Sequence, residues 1–290
     1  MRSLNPVLAA LAALALPMST PVLAVAAATV ETVQSPAWRD RDGLSVPLAA
    51  GMELKSGDVL RTGPGARAYL MLAEGSRVKL GEGTRFTFHS RSLQPKKVFR
   101  GALDVSAGSF RFTSGKVNKS RPDVVAIRVG TAAIDVRGTD LWGRTNPDGD
   151  MVALLEGHID VTRAGQTTEL AQPLTYFDAP RGPTAEVKAL DPAVFQLLAR
   201  QTEIVAGDGA AQTRGQWKVL AGTAASEEAA LELYDRIRAA GFAASIRPIR
   251  SDGKGWRYHV VLRGFPGPAD AEVAAARLNS VSGLQARVLR

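Results

Sequence analysis

From residue 28 to residue 179 the chain repeats one pattern: a short run of alternating apolar and polar residues, then a turn built on glycine. Alternation with a period of two marks strands with one buried face, and runs spaced about ten residues apart suit a sandwich, a barrel or a β-roll. Asp58-Val-Leu-Arg-Thr62 leads into Gly63-Pro-Gly65; residues 66–72 alternate again; Glu74-Gly75 turns the chain; 77–80 and 85–89 lie on either side of Gly81-Glu-Gly83. The series continues at 103–105, 109–113, 124–129, 132–136, 151–155 and 159–162. No helical stripe of useful length interrupts it. The pattern predicts an all-β domain over residues 28–179. Residues 90–100 are polar and basic and read as a connecting loop, with Arg91, Lys96, Lys97 and Arg100 available to an acidic surface.

After residue 179 the pattern changes, so the fold class is multidomain. Ala179-Pro-Arg-Gly-Pro183 stops the strands, and Asp191 caps a short helix that has Pro192 in its first turn and runs to about Gln201. Ala206-Gly-Asp-Gly-Ala-Ala-Gln-Thr213 reads as a flexible tether. Residues 180–214 are therefore expected to be a linker with one helix. Residues 215–290 then give strand 216–221, helix 226–240, strand 243–249, strand 256–263, helix 268–278 and strand 285–289. This βαββαβ order predicts a small α+β domain with both helices on one face of the sheet.

Ser226 is the N-cap of the first of these helices, with Glu227 and Glu228 at its positive end, and Gly241 closes it. Ala230, Leu233, Tyr234 and Ile237 share one stripe, as do Ala271, Ala274 and Leu278 in the second helix. Strand alternation assigns the faces. Val219, Ala221, Tyr258, Val260 and Leu262 point to the helices. Lys218, Leu220, His259 and Val261 point to the bare side, with Arg257 beside them and Thr223 and Arg263 at strand ends. Leu220 and Val261 are expected to expose apolar surface there. Lys218, Arg247, Arg257 and Arg263 ring them with donors. An apolar centre with a polar rim suits sugar rings. Trp217 and Trp256 read as strand-end core residues.

The other end of the chain carries an export signal. Arg2 supplies the positive segment, residues 7–16 are apolar and uncharged, and Pro17 and Pro21 precede Val22-x-Ala24 and Ala24-x-Ala26. The apolar run is about half of the ~20 residues a spanning helix needs, so residues 1–26 read as a cleaved signal peptide. No later run is long enough to span. The protein is expected in the periplasm, without a membrane span after cleavage. Cysteine is absent and the formal net charge is +8. A basic exported chain fits wall polymers, anionic lipid or acidic proteins as partners.

Two motif sets carry family resemblances. Trp217-Lys-Val-Leu-Ala-Gly222-Thr223 and Tyr258-His-Val-Val-Leu-Arg-Gly-Phe265 resemble the two signature strands of the SPOR domain. That resemblance implies binding of peptidoglycan glycan strands stripped of stem peptides, on the open sheet face. The family's sheet-face Gln is Leu220 here, and the Gly after the second strand is Arg263. These changes remove a sugar-pairing amide and add a charge. Val129-Gly-Thr-Ala-Ala-Ile-Asp-Val-Arg-Gly-Thr-Asp140, followed by Val152-Ala-Leu-Leu-Glu-Gly-His-Ile-Asp-Val161, resembles the FecR domain, and Leu54-Lys-Ser-Gly-Asp-Val-Leu-Arg-Thr-Gly63 fits it too. The resemblance implies an extracytoplasmic β-domain that acts through protein contacts. The relay to a cytoplasmic sigma factor needs a cytoplasmic segment and a membrane helix, which this sequence does not show.

Other chemistries lack their residues. His89, His158 and His259 form no i, i+4 pair and no Cys is present, so neither a metal site nor any other cofactor is expected. Asn146-Pro-Asp-Gly-Asp150 is a hairpin turn by composition and lacks the later Glu of a calcium loop. Gly63-Pro-Gly-Ala-Arg-Ala68 mimics a dinucleotide fingerprint but no crossover helix follows. There is no Gly-x-Ser-x-Gly elbow. Gly138 and Gly157 read as structural glycines, with Asp135 and Arg137 facing outward. RNA-recognition modules share the βαββαβ order, but the open face offers no aromatic pair and export removes the polymer, so no nucleic acid is expected. The sequence therefore reads as a non-enzymatic envelope protein: the C-terminal domain on wall glycan, the β-domain on an unidentified envelope protein. The alternative is a periplasmic signalling or assembly adaptor whose C-terminal domain binds protein instead.

Overall fold

The structure, a computed structural model, describes residues 27–290 apart from 93–98, 116–124, 183, 252–254 and 281–283. The predicted signal peptide lies outside the described residues, as do Lys96 and Lys97 of the basic loop. The N-terminal strands are β1 (Ala28–Gln34), β2 (Ala37–Arg41), β3 (Leu44–Pro47), β4 (Glu53–Leu54), β5 (Val59–Thr62), β6 (Arg67–Leu72), β7 (Arg77–Leu80), β8 (Arg85–Ser92), β9 (Phe99–Thr113), β10 (Val125–Val129), β11 (Ala132–Asn146), β12 (Gly149–Arg163), β13 (Gln166–Leu170), β14 (Thr175–Pro180) and β15 (Glu186–Ala189). The helix α1 (Pro192–Arg200) and strand β16 (Ala210–Gln212) follow. The C-terminal elements are β17 (Trp217–Ala224), α2 (Glu227–Ala239), β18 (Ala244–Ser251), β19 (Gly255–Phe265), α3 (Pro268–Asn279) and β20 (Arg287–Leu289).

Strands β1–β16 form one sheet around a single core. Alternation does the sorting: in β6 Ala68, Leu70 and Leu72 are buried while Arg67, Tyr69 and Met71 are only half so. Phe86, Phe88, Phe110 and Phe112 fill the centre, and truncating any one to Ala would cost about 3–5 kcal/mol. The runs 103–105 and 109–113 merge into β9, 151–155 and 159–162 merge into β12, and 132–136 extends into β11, so that each is a 15-residue strand. Each bends and changes neighbours. The first part of β9 pairs with β8 and with β10 in parallel; its second part pairs with β7 and β11.

The bend in the β11–β12 pair sits at the two motif glycines. The register shifts between Arg137 and Asp140, and both Gly138 (φ 64°) and Gly157 (φ 89°) take left-handed backbone conformations. A Cβ on Gly157 would overlap the Gly138 carbonyl oxygen and approach Thr139 Cα to 3.1 Å. Only glycine meets both conditions without strain. Asp135 is exposed, as the alternation required.

Two stretches differ from the sequence reading. Glu186–Ala189 forms an additional edge strand beyond Ala179-Pro-Arg-Gly-Pro183. The expected flexible tether is bonded down along its length. Asp191 caps α1 by accepting from Ala193 N–H at 2.7 Å, and the helix covers an apolar patch on the outer side of the sheet formed by Trp142 and Ala153 with Leu190 and Leu198. Just beyond it, the Glu203 carboxylate accepts from Lys79 Nζ (2.7 Å), Tyr69 Oη (3.0 Å) and Arg111 Nη1 (3.2 Å). Burial raises this carboxyl group's pKa, but the Lys79, Tyr69 and Arg111 contacts outweigh it and hold the group below its ordinary value. Strand β16 then pairs with β1, Ala211 opposite Val33. Glycine punctuation alone suggested slack; the partners that remove it lie in distant parts of the chain and left no local trace.

The C-terminal sheet has the order β18-β19-β17-β20, antiparallel throughout, with α2 and α3 on one face. Its helix side contacts the N-terminal domain. Arg277 of α3 donates from Nη1 to the carbonyls of Ser35 (3.1 Å) and Gly65 (2.9 Å). Buried Asp270 accepts from the N–H groups of Gly207 and Gly209, both at 3.1 Å. Gly241 lies against Trp38 so closely that a Cβ would sit 2.5 Å from the indole.

Candidate functional site

The candidate site is the sheet face opposite α2 and α3. Its residues are fixed by the core on the other side: Val219, Val260, Leu262, Ile246 and Val288 pack toward the helices, so their neighbours must point away. Cross-strand pairing sets these neighbours in rows. One row runs Ser245, Val261, Leu220, Arg287 across all four strands; the next holds Arg247, His259 and Thr223; Arg263 and Lys218 pair on the other side, and Arg257 lies opposite Ile249. A bulge after Leu220 flips the phase of β17 and brings Thr223 onto this face.

All seven positions expected at the site, Lys218, Leu220, Thr223, Arg257, His259, Val261 and Arg263, lie on this one face. Sequence reasoning did not include Ser245 or Arg287. The signal for them was the same alternation, anchored by core residues Ile246 and Val288. Trp217 packs against the domain core as expected, but Trp256 is 58% exposed at the hairpin end of β19.

One expectation needs correction. Leu220 and Val261 retain only 4% of their surface each, so they do not form an open apolar platform. They sit on the two central strands, β17 and β19, with Lys218, Arg263, Thr223 and His259 in the rows on either side. The accessible surface belongs to their surroundings. Thr223, Arg247, Arg257, Arg263 and Arg287 are exposed; Lys218, His259 and Ser245 are half-buried. None of these positions carries a carboxylate. Among the described residues none of the five cations Lys218, Arg247, Arg257, Arg263 and Arg287 makes an ion pair. The face thus presents unpaired donors over a closed apolar centre, and suits a neutral-to-anionic ligand rich in acceptors.

These strands are also what a family comparison recognises. The family model described as SPOR domain matches residues 213–290, and that described as FecR protein matches residues 58–160. The chain carries a FecR domain followed by a SPOR domain. SPOR domains are peptidoglycan-binding modules and FecR domains are signalling-related; both families are non-catalytic. No curated protein matches the chain. Two crystal structures, each described as that of a "putative anti-sigma factor" from Parabacteroides distasonis, are similar to it. The first shares 12% identity over 78% of this chain and 91% of that one, with a TM-score of 0.42. The second shares 13% over 67% and 94%, with a TM-score of 0.40.

Within the FecR domain the motif residues build structure. Asp150, at the end of the hairpin turn, is buried and accepts from Thr131 N–H (2.9 Å), Thr131 Oγ1 (2.6 Å) and Thr145 Oγ1 (2.7 Å). Gly63-Pro-Gly65 is the β5–β6 turn, which meets Arg277 at the SPOR domain. Among the described residues no group of three or more acidic or histidine side chains could hold a metal ion, and no helix is long and apolar enough to cross a membrane.

Proposed function

We propose that this protein is a non-enzymatic periplasmic component of the cell envelope. Its SPOR face binds peptidoglycan glycan strands, and its FecR domain offers a surface to another envelope protein. The observation that supports this most directly is the charge of the open face: five cations, no acid, and no internal ion pair among the described residues. A strand of N-acetylated sugars presents carbonyl and hydroxyl acceptors, and a strand without stem peptides also presents free carboxylates. The arginines and Lys218 are the matching donors. Thr223 and His259 supply shorter hydrogen-bonding groups at the row between them.

The departures from the family pattern fit the same reading. Leu220 is closed off, so the amide absent there is replaced by donors on the rim. The affinity of one sheet face for a few sugars is modest, and the density of sites along the wall compensates.

Sedimentation with purified sacculi tests the reading. The full chain is expected to pellet with sacculi treated by an amidase that removes stem peptides, and less with untreated ones. Arg257→Glu combined with Arg263→Glu is expected to reduce the pelleted fraction about tenfold, with unchanged circular dichroism, because both side chains are exposed and their reversal turns attraction into repulsion. Equal pelleting of the double variant and the parent would refute the assignment of the face. Specific protein crosslinks at Arg257 or His259 in cells, with no glycan binding, would favour the adaptor reading instead.

A further inference from the structure

A cleft of about 760 Å³ lies where the start of β17, the end of β19 and the end of β20 meet the FecR domain. Its SPOR wall includes Lys218, Ser245, Val261 and Arg263, which also belong to the open sheet face, so the cleft is continuous with that face. Its FecR wall is formed by Val33, Ser35, Ala49 and Ala50. Arg277 and Arg290 line it as well, which brings the cationic side chains to four, and no acidic side chain lines it at all. Two of the four are accounted for in part: Arg277 Nη1 binds two FecR carbonyls, and the Arg290 guanidinium lies 5.9 Å from the Trp217 ring centre. Neither use neutralises a charge. Burial and the nearby Arg67 lower the pKa of Arg277, which nevertheless stays cationic.

We propose that this cleft is an anion-accepting subsite for the polymer bound on the SPOR face, and that the FecR domain forms one of its walls. The chemistry that fits is a sugar-borne carboxylate, the group freed on each muramic acid residue when stem peptides are cleaved. The four cations line one recess that no acidic side chain enters. Its small FecR-side residues, Ala49 and Ala50, leave room for a sugar ring. The inference rests on the glycan reading above and adds to it: specificity for stripped strands is set jointly by both domains.

A FecR-side substitution separates the two claims. Ala50→Glu places a carboxylate in the cleft without touching any residue of the sheet face; Ala50→Gln adds nearly the same bulk without charge. Binding of the full-length parent and both variants to amidase-treated sacculi is measured at low salt. The expected result is that Ala50→Glu binds about tenfold more weakly than the parent, that Ala50→Gln loses about threefold or less, and that added salt narrows the gap. If the parent binds and Ala50→Glu binds equally well, the cleft assignment is wrong and the sheet-face reading survives. If Ala50→Gln loses as much as Ala50→Glu, the anionic character of the occupant is wrong. If the parent itself does not bind, both readings fall together.

Discussion

Replacing Asp150 with Ala is expected to destabilise the FecR domain by about 3 kcal/mol, because the change strands the buried Thr145 hydroxyl, frees both Thr131 donors and leaves the Arg181 guanidinium, 3.4 Å away, without its partner. Thr131 is held from two sides: its hydroxyl donates to Asp150 and accepts from Arg163 Nε at 3.1 Å. Asp150 thereby ties the β10–β11 turn and the far end of β11 to β12. The effect should depend on pH in one direction. Burial raises the Asp150 pKa, but the Thr131 and Thr145 hydroxyls, the Thr131 N–H and Arg181 outweigh it and hold the group below the usual aspartate range. A depressed folded-state pKa contributes stability that is complete above the unfolded value of about 4 and is lost as pH falls through the folded value. Urea unfolding at pH 7 should show the full gap between parent and variant, and at about pH 3 the gap should narrow. A gap independent of pH would show that the carboxylate charge is not what the site uses.

The second large effect is expected at Gly157. Alanine there meets two penalties at once, the left-handed backbone at φ 89° and overlap with the Gly138 carbonyl oxygen. Together these should cost about 3 kcal/mol, and Val more, since a branched side chain crowds the same backbone further. The same substitution at Gly165, which also has positive φ but nothing within 4 Å of its Cβ position, should cost about 1 kcal/mol from backbone strain alone. Urea midpoints of the two alanine variants give the comparison. Equal losses would mean that the close approach of β11 and β12 contributes nothing.

Much of this was legible in the sequence because period and punctuation are local signals. The motif glycines at 138 and 157 read as structural, and the cap at Ser226, the stop at Gly241 and the stripe Ala230–Leu233–Tyr234–Ile237 located α2 within a residue or two. Alternation also put the candidate residues on one face. What sequence could not supply was the third dimension of that face. Leu220 and Val261 alternate away from the core, yet each keeps only 4% of its surface exposed, and alternation carries no signal for that. The tether failed for a similar reason. Gly207 and Gly209 look permissive on their own; the groups that fix them, Asp270 and the edge of β1, belong to other parts of the chain. Asp150, read as a turn residue, revealed its role only when Thr131 was brought beside it.

The joint between the lobes has a mechanical meaning. A slack chain would let a captured partner wander, with an encounter rate set by how far the connection can stretch. Here residues 207 and 209 are held by a carboxylate of one lobe and β16, which follows them, is stitched to the other, so the FecR domain is carried at one height and one azimuth relative to the open sheet face.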